Sequence, residues 1–494
     1  MSFFCLKVVE TLIVGSGVSG LASAIRQARK GRIVKVIEKS HTYGGKMGEI
    51  NSKGFRFDTG PSLFTMPNYV TELLDEAHKN EFNYTQLENL CTYFFPDQTK
   101  FVAKSNINSF LEDASIFFKT PKKDIEAFLK KSENIYDITA PIFLQNSLHK
   151  LKTYLSKDGL KGILNLWQIE MFKTMNNKLE SSFDNEKLIQ LFNRYATYNG
   201  SNPYVAPATL HVIPHLEFKY GAYLPKNGIR DIANILYKQA KSLGVQFQFN
   251  TQVIGSTLKN NNIQTVETSS GAQLKCDVLI SAVDAKITYQ NILKRNLPKK
   301  ILNAENSSSA LIFYWGIGKI FPEIDIHNIF FSKEYQEEFD AIFNSKKLQK
   351  DPTVYIHTTQ PINPKDAPDG KQNWFVMINT GYNRGQNWNE LIKEARKKIL
   401  DKISISLKED IEPLIEFEDI LSPILIEKIT GSNKGSLYGS SSNDRMSAFF
   451  RQANFSNDIK NLYFCGGSVH PGGGIPLCLL SASIVDKLIP NANR

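Results

Sequence analysis

The hydrophobic pattern opens with a short run rich in β-branched residues, Val8 to Val14, followed by a glycine turn, Gly15 to Gly20. Apolar Leu21, Ala22, Ile25 and Ala28 then recur at helical spacing, which predicts a helix from Leu21 to Arg29. Gly31 is placed to end that helix in the left-handed conformation. Ile33 to Ile37 reads as a second strand, so the chain begins as half of a parallel βαβ unit. From about Asn108 to Leu191 the pattern is mainly helical and rich in lysine, with breaks expected at Pro121, Pro141 and Gly159. A helix from Ile229 to Leu243 leads into a strand at Gln246 to Phe249, and alternation predicts strands around Gln252–Thr257 and Thr265–Glu267. A turn at Ser269-Ser270-Gly271 precedes a strand at Val278 to Ser281. Further on, strands at Ala310–Trp315 and Trp374–Asn379 accompany a long helix, Trp388 to Leu407. The last stretch repeats the opening: strand Asn461 to Cys465, glycine turn Gly466 to Pro476, apolar helix Leu477 to Leu488. Pro476 suits the first turn of that helix.

A chain of 494 residues exceeds what one hydrophobic core supports, so two or three structural units are expected. Hydrophobic residues at 41% and charged residues at 22% are ordinary for a globular protein. The net charge of +10 would suit nucleic acid or an anionic membrane surface. No nucleic-acid motif accompanies it, so the excess reads as a solvated, lysine-rich surface. The five cysteines form no CxxC pair, which argues against a disulfide framework or a zinc site and fits a reducing compartment. Cys465 and Cys478 read as small buried hydrophobes. No metal is expected. The N-terminus lacks the basic region of a signal peptide, and no apolar run is long enough to span a bilayer.

The chemistry lies in the glycine turns. Gly15-Ser16-Gly17-Val18-Ser19-Gly20 matches GxGxxG between a strand and a helix, with Glu38 ending the next strand. Gly15 permits the tight turn and Gly17 the approach of backbone N–H groups to a pyrophosphate, while Gly20 lets helix and strand pack closely. Val18 and Ser19 lie in the same turn, ahead of the helix whose N-terminus faces the phosphates. Glu38, followed by Lys39, is placed to accept from ribose hydroxyls, and an acid there disfavours a 2′-phosphate. Gly44-Gly45-Lys46 and Asp58-Thr59-Gly60-Pro61-Ser62 resemble two loops of the flavoprotein group that includes amine oxidases. That resemblance moves the expected cofactor from NAD to FAD. At the far end, Gly466, Gly467, Gly474, Ile475 and Pro476 imply backbone pressed against a ligand at a helix N-terminus. That end would favour negative charge on the flavin pyrimidine ring.

Asn461-Leu462-Tyr463, followed by His470-Pro471-Gly472-Gly473-Gly474-Ile475-Pro476, resembles the signature of the bacterial and fungal-type carotenoid desaturases. These are relatives of phytoene desaturase within the flavin amine oxidase-like superfamily. The resemblance extends to Tyr220–Gly228 and to Ser281–Ala285, and it sets Val253 where relatives contact adenine through the backbone. Leu477 and Cys478 depart from the family, which places a small residue and glycine there. Gly435–Asn443 and Phe449-Phe450-Arg451 are closer to hydroxycarotenoid 3,4-desaturases.

The resemblance implies an α/β fold with a Rossmann-like FAD domain of the glutathione reductase type, a mixed-sheet substrate domain and a helical lid facing a membrane. The expected division is FAD domain at 1–80, 216–290 and 445–494, substrate domain at 81–106 and 291–444, and lid at 107–215. It implies hydride transfer from an acyclic carotenoid to the flavin, with oxygen or a quinone as final acceptor. No catalytic base is named by the sequence. Tyr438, Asn443 and His470 are candidates to meet the substrate. A packing role is the better expectation for His470, and a solvated loop is the common fate of residues like Asn443. The apolar segment Ile163–Phe172, with Trp167 inside it and Lys157, Lys161, Lys173 and Lys178 around it, either lies in a bilayer interface or packs on its own domain. The expected location is cytoplasmic, on the inner face of the membrane. Phytoene desaturase, carotenoid isomerase, amine oxidase, protoporphyrinogen oxidase-like enzyme and non-enzymatic prenyl or lipid escort protein are the alternatives. The HPGGGIP block argues against the amine and protoporphyrinogen oxidases, and the complete set of FAD loops against the escort.

Overall fold

In the computed structural model, which describes residues 10–165, 170, 173–444 and 451–492, the strands beside the glycine turns come together. Leu462–Phe464, Val278–Ser281, Glu10–Val14, Ile33–Ile37 and Gln246–Gln248 lie in that order in one sheet. All neighbours are parallel. Val14 pairs with Ile37 on one side and Ser281 on the other, and Ser281 with Phe464. The carboxyl ends therefore finish level, beneath the turns that follow them. Successive side chains point to opposite faces. Ile13, Val34 and Val36 face the helices Val18–Arg29, Arg230–Ser242 and Ile475–Leu488. Leu12, Val14 and Ile37 pack instead with Val253, Ile263 and Val266 of a three-stranded antiparallel sheet. Burial on both faces is why the central strands, Leu12–Val14 and Val278–Ile280, read as unbroken apolar runs.

A second sheet has seven strands. Its order is Ile415–Leu421, Ser309–Ile317, Gln372–Thr380, Val354–His357, His327–Phe330, Asn89–Phe94 and Lys100–Lys104. Only the pair His327–Phe330 and Asn89–Phe94 is parallel. Ala395, Ile399 and Ile403 of the helix Trp388–Leu407 cover one face, against Phe313, Trp315 and Trp374. The opposite face is left for the cavity described below.

The helical stretch differs in detail from the sequence pattern. Pro121 immediately precedes the helix Lys122–Phe143 as expected of a break. Pro141 does not break it but lies inside its last turn. Pro141 brings no N–H for the Asp137 carbonyl four residues back, and the helix ends within a turn of it, where the Asn146 side chain donates to the Pro141 carbonyl at 2.8 Å. Gly159 lies within the helix Lys157–Leu164. A Cβ there would stand 2.2 Å from the Thr153 carbonyl oxygen, so this glycine serves close approach rather than a break.

Candidate active site

The two N-terminal glycine loops clasp each other. The Gly44 N–H donates to the Ser16 carbonyl at 2.9 Å, and a Cβ on Gly45 would lie 3.1 Å from the Gly17 Cα. A Cβ on Gly20 would lie 2.0 Å from the Gly15 carbonyl oxygen, and one on Gly60 1.9 Å from that of Lys46. Gly20 is the one proposed cofactor contact that does not reach the cavity; its role is the close packing of helix on turn. Glu38 stands at the cavity wall, 7% exposed. Its carboxylate already accepts from the Ser16 N–H at 2.8 Å, the Ser16 hydroxyl at 2.7 Å and the Ser40 N–H at 2.9 Å. Glu38 thus fastens the first turn, while Oε1, with a single donor, keeps acceptor capacity.

Two cations enter the wall without a bonded carboxylate among the described residues. The Lys46 ammonium donates to the Leu437 carbonyl at 2.7 Å, and burial lowers its pKa. Arg451 is 4% exposed. Its guanidinium donates to the carbonyls of Tyr438, Gly467 and Ser440 and to Asn199 Oδ1 at 2.8–3.2 Å. Burial lowers it to about 10. Both grip the backbone at Leu437–Tyr438 and fix Tyr438 against the C-terminal turn. A Cβ on Gly473 would lie 2.4 Å from the Tyr438 ring. Burial raises the Tyr438 phenol to about 12, and its hydroxyl makes no hydrogen bond to a described residue.

The candidates for substrate contact separate. Tyr438 lines the cavity, but Asn443 and His470 do not. Asn443 is spent on loop structure, accepting from the Asn202 N–H at 2.7 Å and donating to Glu305 at 2.7 Å. His470 is buried, with Nε2 at 3.0 Å from the Asn146 carbonyl, and desolvation lowers it to about 4. It is a packing histidine. Phe449, Phe450 and most of the segment around Trp167 lie outside the described residues.

The cavity measures about 1140 Å³, above the usual range of a small-molecule pocket. Gly15, Gly17, Val18, Ser19, Lys39, Gly44, Gly45, Gly60, Pro61, Ser62 and Val253 line one end. Gly466, Gly467, Gly474, Ile475 and Pro476 border it, as do Leu477 and Cys478, so the departure from the family falls on the wall. The rest of the cavity runs along the open face of the seven-stranded sheet. Phe375, Met377 and Asn379 alternate into it from one strand, Tyr355 and Thr353 from the next, and His327 and Ile329 from a third. The Ser62 hydroxyl lies 2.8 Å from the Tyr355 hydroxyl, which lies 2.7 Å from His327 Nδ1, and the Tyr314 hydroxyl donates to the Thr59 carbonyl at 2.9 Å. Nucleotide loops and sheet floor are thereby joined.

Sequence patterns gave no sign of a buried cluster around Arg194. This guanidinium donates to the hydroxyls of Tyr93 and Tyr198, both at 2.7 Å, and to Glu217 at 3.3 Å, while Tyr195 and Tyr198 donate to Glu217. Arg194, Tyr198 and Glu217 line the cavity.

The residues fit FAD. A Cβ on Gly17 or Gly474 would meet nothing within 4 Å, so space lies in front of both loops where pyrophosphate and ring would sit. Lys46 and Arg451 put positive charge on the cavity wall, offset among the described residues only by Asp284 near Lys46, which suits an anionic ligand. The comparisons agree. The family described as flavin containing amine oxidoreductase matches residues 18–485. The 1-hydroxycarotenoid 3,4-desaturase of Flavobacterium sp. (strain P99-3) is 46% identical over 98% of this chain and 99% of its own. The phytoene desaturase of Fusarium fujikuroi is 29% identical over 97% of this chain and 89% of its own. In fold, the chain resembles putrescine oxidase bound to putrescine, with TM-score 0.63, 12% identity and coverage of 97% and 98%. It also resembles cyclohexylamine oxidase from Brevibacterium oxydans, with TM-score 0.60, 12% identity and coverage of 97% and 98%. Nucleotide loops, sheet order and these matches converge, and the chain belongs to the family of flavin-containing amine oxidoreductases as an FAD-dependent oxidoreductase.

Proposed function

We propose that this enzyme desaturates an acyclic carotenoid carrying a 1-hydroxyl group, at the 3,4 bond. The observation that carries the reading is the full-length similarity to a 1-hydroxycarotenoid 3,4-desaturase, nearly half of all positions being shared. The long cavity supports it, since a floor of Ile329, Met377, Phe375 and Ile312 offers a polyene an apolar bed.

When bound, FAD supplies the acceptor for the hydride leaving the substrate. Gly17 and the N-terminus of the helix Val18–Arg29 would hold its pyrophosphate, and Glu38 its ribose. The N-terminus of Ile475–Leu488, with Lys46 and Arg451, would hold the ring and favour negative charge on it. Tyr438 stands beside that ring site, able to orient the substrate. The apolar floor excludes water and keeps the chain aligned with the flavin loops. The carbon that loses the hydride is allylic, so the positive charge developing there is spread along the polyene. The proton on the neighbouring carbon is thereby made acidic, a weak acceptor suffices, and no strong base is required of the wall.

We also propose contact with a membrane surface. Among the described residues no helix is long and apolar enough to cross a membrane. On the short helices Leu151–Tyr154 and Lys157–Leu164, however, Leu151, Leu155, Leu160 and Leu164 are 82%, 75%, 52% and 76% exposed. Lys152, Lys157 and Lys161 are exposed among them. Leucines in water beside lysines suit an anionic lipid interface, a source of a lipid-dissolved substrate.

The test supplies the FAD-loaded enzyme in liposomes with a 1-hydroxylated acyclic carotenoid, the same carotenoid without the hydroxyl, or phytoene. The lengthening of the chromophore is followed by absorbance. Faster conversion of the hydroxylated substrate is expected. Preference for phytoene would instead make the enzyme a phytoene desaturase.

A further inference from the structure

One end of the cavity floor is polar. On strand Gln372–Thr380 the cavity side chains run Phe375, Met377, Asn379. The register sets Tyr355 opposite Met377 and Val354 opposite Ile378, so Thr353 stands beside Asn379. The helix Tyr335–Asn344 brings Tyr335, Glu338 and Phe339 to this end. Glu338 is 2% exposed, and its carboxyl accepts from the Thr353 N–H at 3.1 Å and the Thr353 hydroxyl at 2.6 Å. Burial raises its pKa to about 7. The Tyr335 phenol is 8% exposed, yet neither its hydroxyl nor the Asn379 side-chain amide has a hydrogen-bond partner among the described residues. Both groups line the cavity, where a ligand's oxygen can engage them.

We propose that Tyr335, Glu338, Thr353 and Asn379 form the pocket that receives a hydroxyl group borne by an otherwise hydrocarbon substrate. The inference rests on the function proposed above and names the residues that read the substrate's oxygen. The hydroxyl donates to the Glu338 carboxyl and, with two lone pairs, accepts from both the Tyr335 O–H and the Asn379 amide, so each open group gains a partner. The position is suitable. Ser62 ties the flavin loop to Tyr355, and one pleat repeat, about 7 Å, separates Tyr355 from Thr353. A gap of that size matches a hydroxyl a few carbons from the bond being oxidised. Anchoring the oxygen thus sets which carbon–carbon bond lies against the flavin loop.

The experiment compares kcat/KM for a 1-hydroxylated acyclic carotenoid and for its counterpart without the hydroxyl. It uses the FAD-loaded wild type, Tyr335→Phe and Glu338→Leu in identical liposomes. The wild type is expected to favour the hydroxylated substrate by at least about tenfold. In both variants the loss should fall on that substrate, and the two rates converge. Should Glu338→Leu fail to retain flavin, Tyr335→Phe, which removes one oxygen, decides alone. A preference unchanged in the variants, or an equal fall on both substrates as a merely structural clasp would give, overturns the pocket. A wild type that turns over neither carotenoid overturns the proposed function itself, and the pocket with it.

Discussion

Gly17 is the residue whose substitution separates cofactor from fold most cleanly. Its φ of −66° is open to any side chain, and an added Cβ touches no protein atom. Gly17→Val should therefore fold as the apoprotein does and lose FAD by more than tenfold in occupancy, read from visible flavin absorbance and thermal melting. Full occupancy would displace the pyrophosphate from this turn. Gly474→Leu is a poorer probe, because Gly474 has φ +101° and any side chain there is strained whatever the space. His470 supports a second prediction. Its folded pKa of about 4 lies below the ordinary value of 6.5, so the unfolded chain takes the proton first as pH falls. The stability contributed by the neutral ring is present above pH 6.5 and is lost as pH falls toward 4. Urea midpoints of His470→Asn should fall less steeply than wild type between these limits; parallel curves would show that the ring titrates alike in both states. Glu38, Gly44 and Lys46 were legible because nucleotide loops fix both residue type and spacing. Arg194 and Glu338 were not, since a buried ion pair or carboxyl leaves no period in the sequence and acquires meaning only from distant partners such as Tyr93 and Thr353.

At the scale of elements, the central strands of the parallel sheet, Glu10–Val14 and Val278–Ser281, were readable because both faces are buried and the residues form apolar runs. The helix Trp388–Leu407 was readable to the residue because one stripe, Ala395, Ile399 and Ile403, repeats at helical spacing against the second sheet. The short helix Lys157–Leu164 also carries apolar residues at helical spacing, Leu160 and Leu164, but these are exposed rather than packed on a sheet, as are Leu151 and Leu155 before it. Sequence drew the eye to Trp167; the exposed leucines extend the candidate membrane face toward the N-terminal side of that segment. Replacing Leu151, Leu155 and Leu164 together by Glu should abolish flotation with anionic liposomes while flavin content stays unchanged. Each leucine withdrawn from lipid forfeits about 1.5–3 kcal/mol, so three remove well over a hundredfold in partition. Unaltered flotation would assign the lipid contact elsewhere.

For the whole molecule, the cavity is a shared space: nucleotide loops supply one end and the seven-stranded sheet the other, with Ser62, Tyr355 and Tyr314 stitching them together. Bound FAD should raise the melting temperature of the entire chain, since a ligand at a thousand times its Kd adds about 4 kcal/mol to the folded state. A melt indifferent to added FAD in the apoprotein would contradict a cofactor site at this junction. The order of strands carries a further consequence. Glu10–Val14 lies between Ile33–Ile37, its near neighbour in sequence, and Val278–Ser281, and the edge strand Leu462–Phe464 comes from the far end of the chain. During synthesis, the first dinucleotide loop emerges more than 400 residues before the helix Ile475–Leu488. The parallel sheet and the cavity wall thus stay unfinished until Leu462–Phe464 and Ile475–Leu488 have been made, and the visible flavin band should appear only once both have emerged.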